Sequence, residues 1–131
     1  MLMTAAKVYG AIFVIIGVLG FIPAVTPQEH LLGIFHVNAA HNIVHLLTGL
    51  VALLVGFSNN RACRVFFLTF GIIYGIVAFL GFVAGGRPLF GLLAYNIPDA
   101  WFHLAISAIS IFLGVLPSRE GQSYREEHAT A

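Results

Sequence analysis

Apolar positions run almost unbroken through four segments, and polar positions collect at their starts and in the links between them. The pattern predicts helix 1 over about Ala5–Ile22, helix 2 over about Val37–Phe57, helix 3 over about Ala62–Ala84 and helix 4 over about Pro98–Leu116. Each approaches the roughly 20 residues that a bilayer core demands. Backbone at that depth must satisfy its own hydrogen bonds, so helices are the expected solution. The expected fold is an all-α membrane four-helix bundle over residues 1–117, followed by a polar, mobile cytoplasmic tail over 118–131.

The apolar pattern repeats. Gly33 aligns with Gly91, Asn38 with Asn96, His41 with Asp99, His45 with His103 and Leu46 with Leu104, each 58 positions on. Helix 1, through Tyr9–Phe21, resembles helix 3 through Phe70–Phe82. The chain therefore reads as two tandem helical hairpins, with helix 1 the counterpart of helix 3 and helix 2 that of helix 4. Hairpins of the same topology are related by a pseudo-twofold axis along the membrane normal. Helix 1 has the apolar core of a signal peptide, but its only charge is Lys7 and no small-x-small cleavage site follows Phe21.

Composition supports the membrane reading. Of the 131 residues, 60% are hydrophobic and 8% charged, against about 25% charged in soluble domains. A net charge of +1 without a basic patch gives nucleic acid nothing to bind. Cys63 stands alone, which excludes an internal disulfide and thiolate metal sites. Lys7, Arg61, Arg64, Arg119 and Arg125 fall on one side of the predicted topology and Arg87 on the other. The positive-inside rule then places both termini in the cytoplasm, as expected of a multi-pass inner-membrane protein. Tyr95 and Trp101 are expected at the outer interface, where amphipathic rings settle. Phe- and Gly-rich surfaces on helices 1 and 3 leave lipid, a second copy or a larger membrane complex as their partner.

Candidate chemistry sits in the two repeated motifs. Residues four apart share a helix face, so His41 with His45, and Asp99 with His103, make two polar pairs at one depth. Small residues continue these faces: Thr48, Ala52 and Gly56 on helix 2, Ser107, Ser110 and Gly114 on helix 4. Small residues let membrane helices approach, which turns the polar faces inward. An ionisable group within a span, here Asp99, is a functional site by default. Three readings follow. In the first, His41, His45, Asp99 and His103 bind a divalent metal ion, zinc favoured, with Asn38, Asn42 and Asn96 orienting the ligands. In the second, His45 and His103 are axial ligands of haem b in a redox subunit. In the third, the same groups form a structural polar network. His41-Asn42-Ile43-Val44-His45 resembles the H-E-x-x-H zinc-hydrolase box, but Asn42 replaces the Glu general base. The site is read as binding or structural and not as catalytic.

At Asn38-x-x-His41-Asn42-x-x-His45 and Asn96-x-x-Asp99-x-x-x-His103 the chain resembles small four-helix bacterial membrane proteins catalogued as a domain of unknown function. The resemblance covers about Lys7 to Leu116. It implies an integral membrane protein of four helices and carries no activity with it. A looser similarity is to DoxX-type four-helix membrane proteins.

Overall fold

A computed structural model of the chain describes residues 1–117 and, beyond them, Ala129. The tail expected over 118–131 otherwise lies outside the described residues. Four helices form: α1 (Leu2–Leu19), α2 (Ala39–Gly56), α3 (Asn60–Val83) and α4 (Ile97–Val115). All four are long and apolar enough to cross a membrane.

The helix ends have local causes. α1 stops three residues earlier than the apolar run because Pro23 forces Ile22 into extended backbone. The other three helices each begin after an asparagine. The side chains of Asn38, Asn59 and Asn96 accept the backbone N–H of His41, Ala62 and Asp99 at 2.9, 2.9 and 3.1 Å. An N-cap of this kind satisfies one of the donors that a helix start leaves unpaired.

α1 packs on α2 and α3 on α4, as two intimate hairpins that touch each other more sparingly. Close approach of backbones explains the pairing. A Cβ on Gly10 would lie 2.7 Å from the Gly49 carbonyl oxygen. In the second hairpin the Ser107 hydroxyl donates to the Gly71 carbonyl at 2.6 Å. Gly49 and Ser107 are counterparts in the repeat, so one close crossing is made twice with different chemistry.

The loops entering α2 and α4 are counterparts as well. Strands β1 (His30–Leu31) and β2 (Phe35–His36) pair antiparallel, and Leu89 bridges Leu93 in the same way. Each loop turns on two residues of positive φ, Leu32-Gly33 and Phe90-Gly91. That is the type I′ signature, which a glycine at the second position relieves.

Polar side chains are buried beside an apolar core that includes Phe13, Phe66 and Phe67, while many large apolar side chains face outward. His41, Asn42, His45, Thr48, Asp99, His103, Ser107 and Ser110 are buried, while Leu54, Phe79, Val83 and Phe112 stand outward. Lipid is as apolar as the outward residues, so polar groups gather inside, where they can find partners.

Candidate metal centre

The duplicated caps place the site. Asn38 and Asn96 each accept one backbone N–H and donate across the bundle. Asn38 Nδ2 donates to the Leu92 carbonyl at 2.9 Å, and Asn96 Nδ2 to the Ile34 carbonyl at 2.7 Å. The two bonds are counterparts, and they tie each hairpin's loop to the other hairpin's helix start. This brings α2 and α4 together at the level of their first two turns.

His41, His45 and His103 meet there, each no more than 4% exposed. His41 Nδ1 lies 2.8 Å from the Ala94 carbonyl. A carbonyl has no hydrogen to give, so Nδ1–H donates and Nε2 keeps its lone pair. His103 Nδ1 lies 2.9 Å from the Tyr95 hydroxyl, which itself donates to the Val77 carbonyl at 3.4 Å. The hydroxyl therefore accepts from His103 Nδ1–H, and this ring too keeps its lone pair on Nε2. Both lone pairs face His45 Nε2, at 3.2 Å from His41 and 3.4 Å from His103. Neutral His45 carries at most one hydrogen on that nitrogen, so one of the two contacts is lone pair against lone pair. One ring nitrogen from each of the three lies within 4.8 Å of the others.

The surroundings are mostly apolar. The Phe13 ring centroid is 5.2 Å from that of His45, and Tyr74 is 5.2 Å from His103. Tyr74 shares a hydrogen bond of 3.1 Å with Thr48. A cavity of about 120 Å³ adjoins the three rings, walled by Val44, Thr48, Phe70, Ile73, Tyr74 and Val77.

The other expected site residues have different work. Asp99, expected as a fourth ligand, is not among the groups that converge on the histidine nitrogens. Its carboxylate accepts the Asn96 backbone N–H at 2.9 Å and closes a capping box. The residue at the third helical position is where such a carboxylate is most useful to the helix. Asn38 and Asn96 do not orient ligands directly; they cap the helices and pin the hairpins. Asn42 is buried against Gly20, where a Cβ would overlap its amide.

Tyr95, expected near the outer interface, is 1% exposed, with its hydroxyl on His103. Burial, with Asp99 nearby, pushes its phenol well above the ordinary range, so it stays a neutral hydroxyl. Its repeat counterpart is Val37, and nothing in the apolar pattern separates it from an interfacial tyrosine. Trp101 is 61% exposed, with its ring edge-on to Phe82.

Bis-histidine haem does not fit the pair expected for it. The Nε2 atoms of His45 and His103 are 3.4 Å apart. Two metal–imidazole bonds of about 2 Å on opposite sides of an iron need about 4 Å, with a macrocycle between the rings.

Three histidines that could hold a metal ion are thus buried inside a membrane four-helix bundle. The model of the family described as Domain of unknown function (DUF4383) matches residues 3–116. No curated protein and no solved structure matches the chain.

Proposed function

The chain belongs to this family of unknown function, DUF4383, so its role has to come from the site, and we propose that it is a membrane protein binding one divalent metal ion on His41, His45 and His103. The observation that carries this reading is the spacing of the ring nitrogens. A tetrahedral ion with bonds of 2.0–2.1 Å separates its ligand atoms by about 3.3 Å. Two of the three separations are 3.2 and 3.4 Å, and all three lie within 4.8 Å. An ion at that point would also take up the opposed lone pairs that protons alone leave unmatched.

Zinc is the favoured ion, because it accepts tetrahedral nitrogen ligands and needs no thiolate. The Ala94 carbonyl and the Tyr95 hydroxyl fix the tautomers of His41 and His103 from behind, as partners of metal-bound imidazoles do. The fourth position would face the cavity. A hydrolytic role is disfavoured, since Asp99 is committed to its cap and Asn42 cannot act as a general base. Lys7, Arg61 and Arg64 lie at one end of the helices and Arg87 at the other, which supports cytoplasmic termini and a site in the outer leaflet.

Elemental analysis of protein purified in detergent without chelators tests the reading. The expected result is close to one transition-metal ion per chain and an absorption spectrum with no Soret band. Metal-free protein would overturn it. Tyr95→Phe should keep the fold and weaken metal binding about 10- to 100-fold, the usual cost of losing a partner behind a ligand. Competition with a chromophoric chelator measures this.

One observation favours a structural role for part of the same network. The counterpart bonds of Asn38 and Asn96 link the hairpins whether or not an ion is bound. The asparagines then serve the architecture and the histidines the ion.

A further inference from the structure

The cavity beside the histidines opens between α2 and α3. Val44 and Ile73 both line it, yet they are 42% and 46% exposed on the outer surface of those helices. In a bilayer that surface faces acyl chains. Phe70 lines this cavity and also a groove of about 520 Å³ between the same helices, walled by Val51, Val55, Val65 and Phe66. Cavity and groove therefore follow one another along the seam of α2 and α3. From His45 to Val55 α2 rises about 15 Å, at about 1.5 Å per residue. A hydrocarbon core is about 30 Å thick, so the seam has the reach of one alkyl tail in one leaflet.

The repeat supplies a comparison. The counterpart groove, between α4 and α1, has Ile109 and Leu113 where α2 has Val51 and Val55. There Phe102 and Ile106 stand in the places of Val44 and Thr48, and among the described residues no histidine lines the groove. Either groove can take an apolar chain, but only the one between α2 and α3 continues to imidazoles.

Charge decides what head such a chain carries. A divalent ion on three neutral imidazoles keeps both its charges, and unpaired charge inside a bundle is costly. Asp99 is the one acidic residue in the four helices, and its carboxylate caps α4. Even with Asp99 counted, one positive charge is left over, and a singly charged anion removes it. The cavity of about 120 Å³ is smaller than the roughly 150 Å³ that admits a benzene ring, so the head has few non-hydrogen atoms. A carboxylate meets that limit and is a ligand that zinc accepts.

Resting on the metal-binding reading above, we propose that the fourth coordination position takes the carboxylate of a long-chain fatty acid, whose alkyl tail lies in the groove between α2 and α3. The ion holds the head by charge, and the groove holds the tail by shape. Val44 leaves the passage between them open, where its counterpart Phe102 fills the same place on α4.

The test uses the full chain in lipid nanodiscs, purified from cells supplied with cobalt, whose visible spectrum reports its coordination. Hexadecanoate and hexadecanol are the probes: they share a tail, and only hexadecanoate brings a negative charge. Hexadecanoate is expected to shift the cobalt bands at a concentration at least about 10-fold below that needed with hexadecanol, since only it offsets the buried positive charge. Val44→Phe is expected to keep its cobalt and to weaken the hexadecanoate response about 10-fold, within the usual cost of overpacking. A hexadecanoate carrying a photoreactive diazirine near the end of its tail is expected to label the peptides that hold Val51, Val55, Val65 or Phe66. An equal response to hexadecanol would overturn the carboxylate. Labelling at Ile109 and Leu113 to the same extent would overturn the groove, as would an unchanged response in Val44→Phe. Cobalt that is bound but does not respond to hexadecanoate would overturn the ligand and leave the metal site standing. Protein that holds no cobalt would overturn the metal site itself, and the ligand with it.

Discussion

Replacing His45 by alanine is expected to strip the metal from the protein, whereas replacing Asp99 by alanine is expected to leave it bound. His45 is the middle member of the cluster, and its Nε2 is the only one that the structure shows within hydrogen-bond distance of both others. Without it, His41 and His103 remain as two ligands across a widened gap. Even a partner behind a ligand is worth about 10- to 100-fold in affinity, so loss of the central ligand should exceed about 100-fold. Metal content after gel filtration would fall from near one per chain to a small fraction. Asp99→Ala removes the acceptor for the Asn96 N–H and half of the capping box. Its cost should appear as stability, about 1–2 kcal/mol in line with other cap deletions, with the metal content unchanged. If Asp99→Ala emptied the protein of metal and His45→Ala did not, the three-histidine assignment would be wrong.

Gly49→Ala should be among the most destabilising single-methyl changes in the bundle. The new Cβ would lie 2.7 Å from the Val14 nitrogen and 2.8 Å from the Gly10 carbonyl oxygen. Both are backbone atoms, so relief requires α1 and α2 to move apart along their length. Overpacking commonly costs about 1–3 kcal/mol, and this position should reach the top of that range. It should do so despite alanine's better helix propensity, worth about 1 kcal/mol. Gly75→Ala is the comparison. There the nearest atom is the Ser107 hydroxyl oxygen at 2.8 Å, and the next is 3.7 Å away. That atom belongs to a side chain that can turn away at the cost of its bond to the Gly71 carbonyl, so the cost should be smaller than that of moving backbone. Thermal unfolding in detergent, followed by helical circular dichroism, ranks the two; equal losses would remove the backbone-contact explanation.

Both predictions depend on details that differ in how visible they were from residue order. The four helices were legible because long apolar runs have one solution in lipid. The duplication was legible from Asn38 and Asn96, His45 and His103, and the glycines, and it recurs in the turns at Leu32-Gly33 and Phe90-Gly91. The inward direction of the histidine faces followed from the small residues that continue them. Boundaries were less legible: the α1 end was set by Pro23 acting on the residue before it, against an apolar pattern that ran on.

The membership of the site was only half legible. Spacing by four places Asp99 on the His103 face, and on that ground it looked like a ligand. Spacing does not say whether a carboxylate reaches outward to a cluster or back to its own helix start. The two uses compete within the same first turn, and the free N–H of Asn96 is the nearer claimant. Tyr95 was hidden for a related reason. It precedes α4 at the position where an interfacial tyrosine would also stand, and only the fold of the loop over the bundle turns its hydroxyl onto His103.

The residues by themselves determined a duplicated, lipid-embedded four-helix chain with imidazoles facing inward, because hydrophobic length and helical period are properties of local order. Which side chains share a centre was decided by tertiary structure alone. Asn38 and Asn96 draw the hairpins into a single register, and only in that register do three ring nitrogens face one another while the carboxylate turns away. Contacts between positions more than fifty residues apart have no signature in local periodicity.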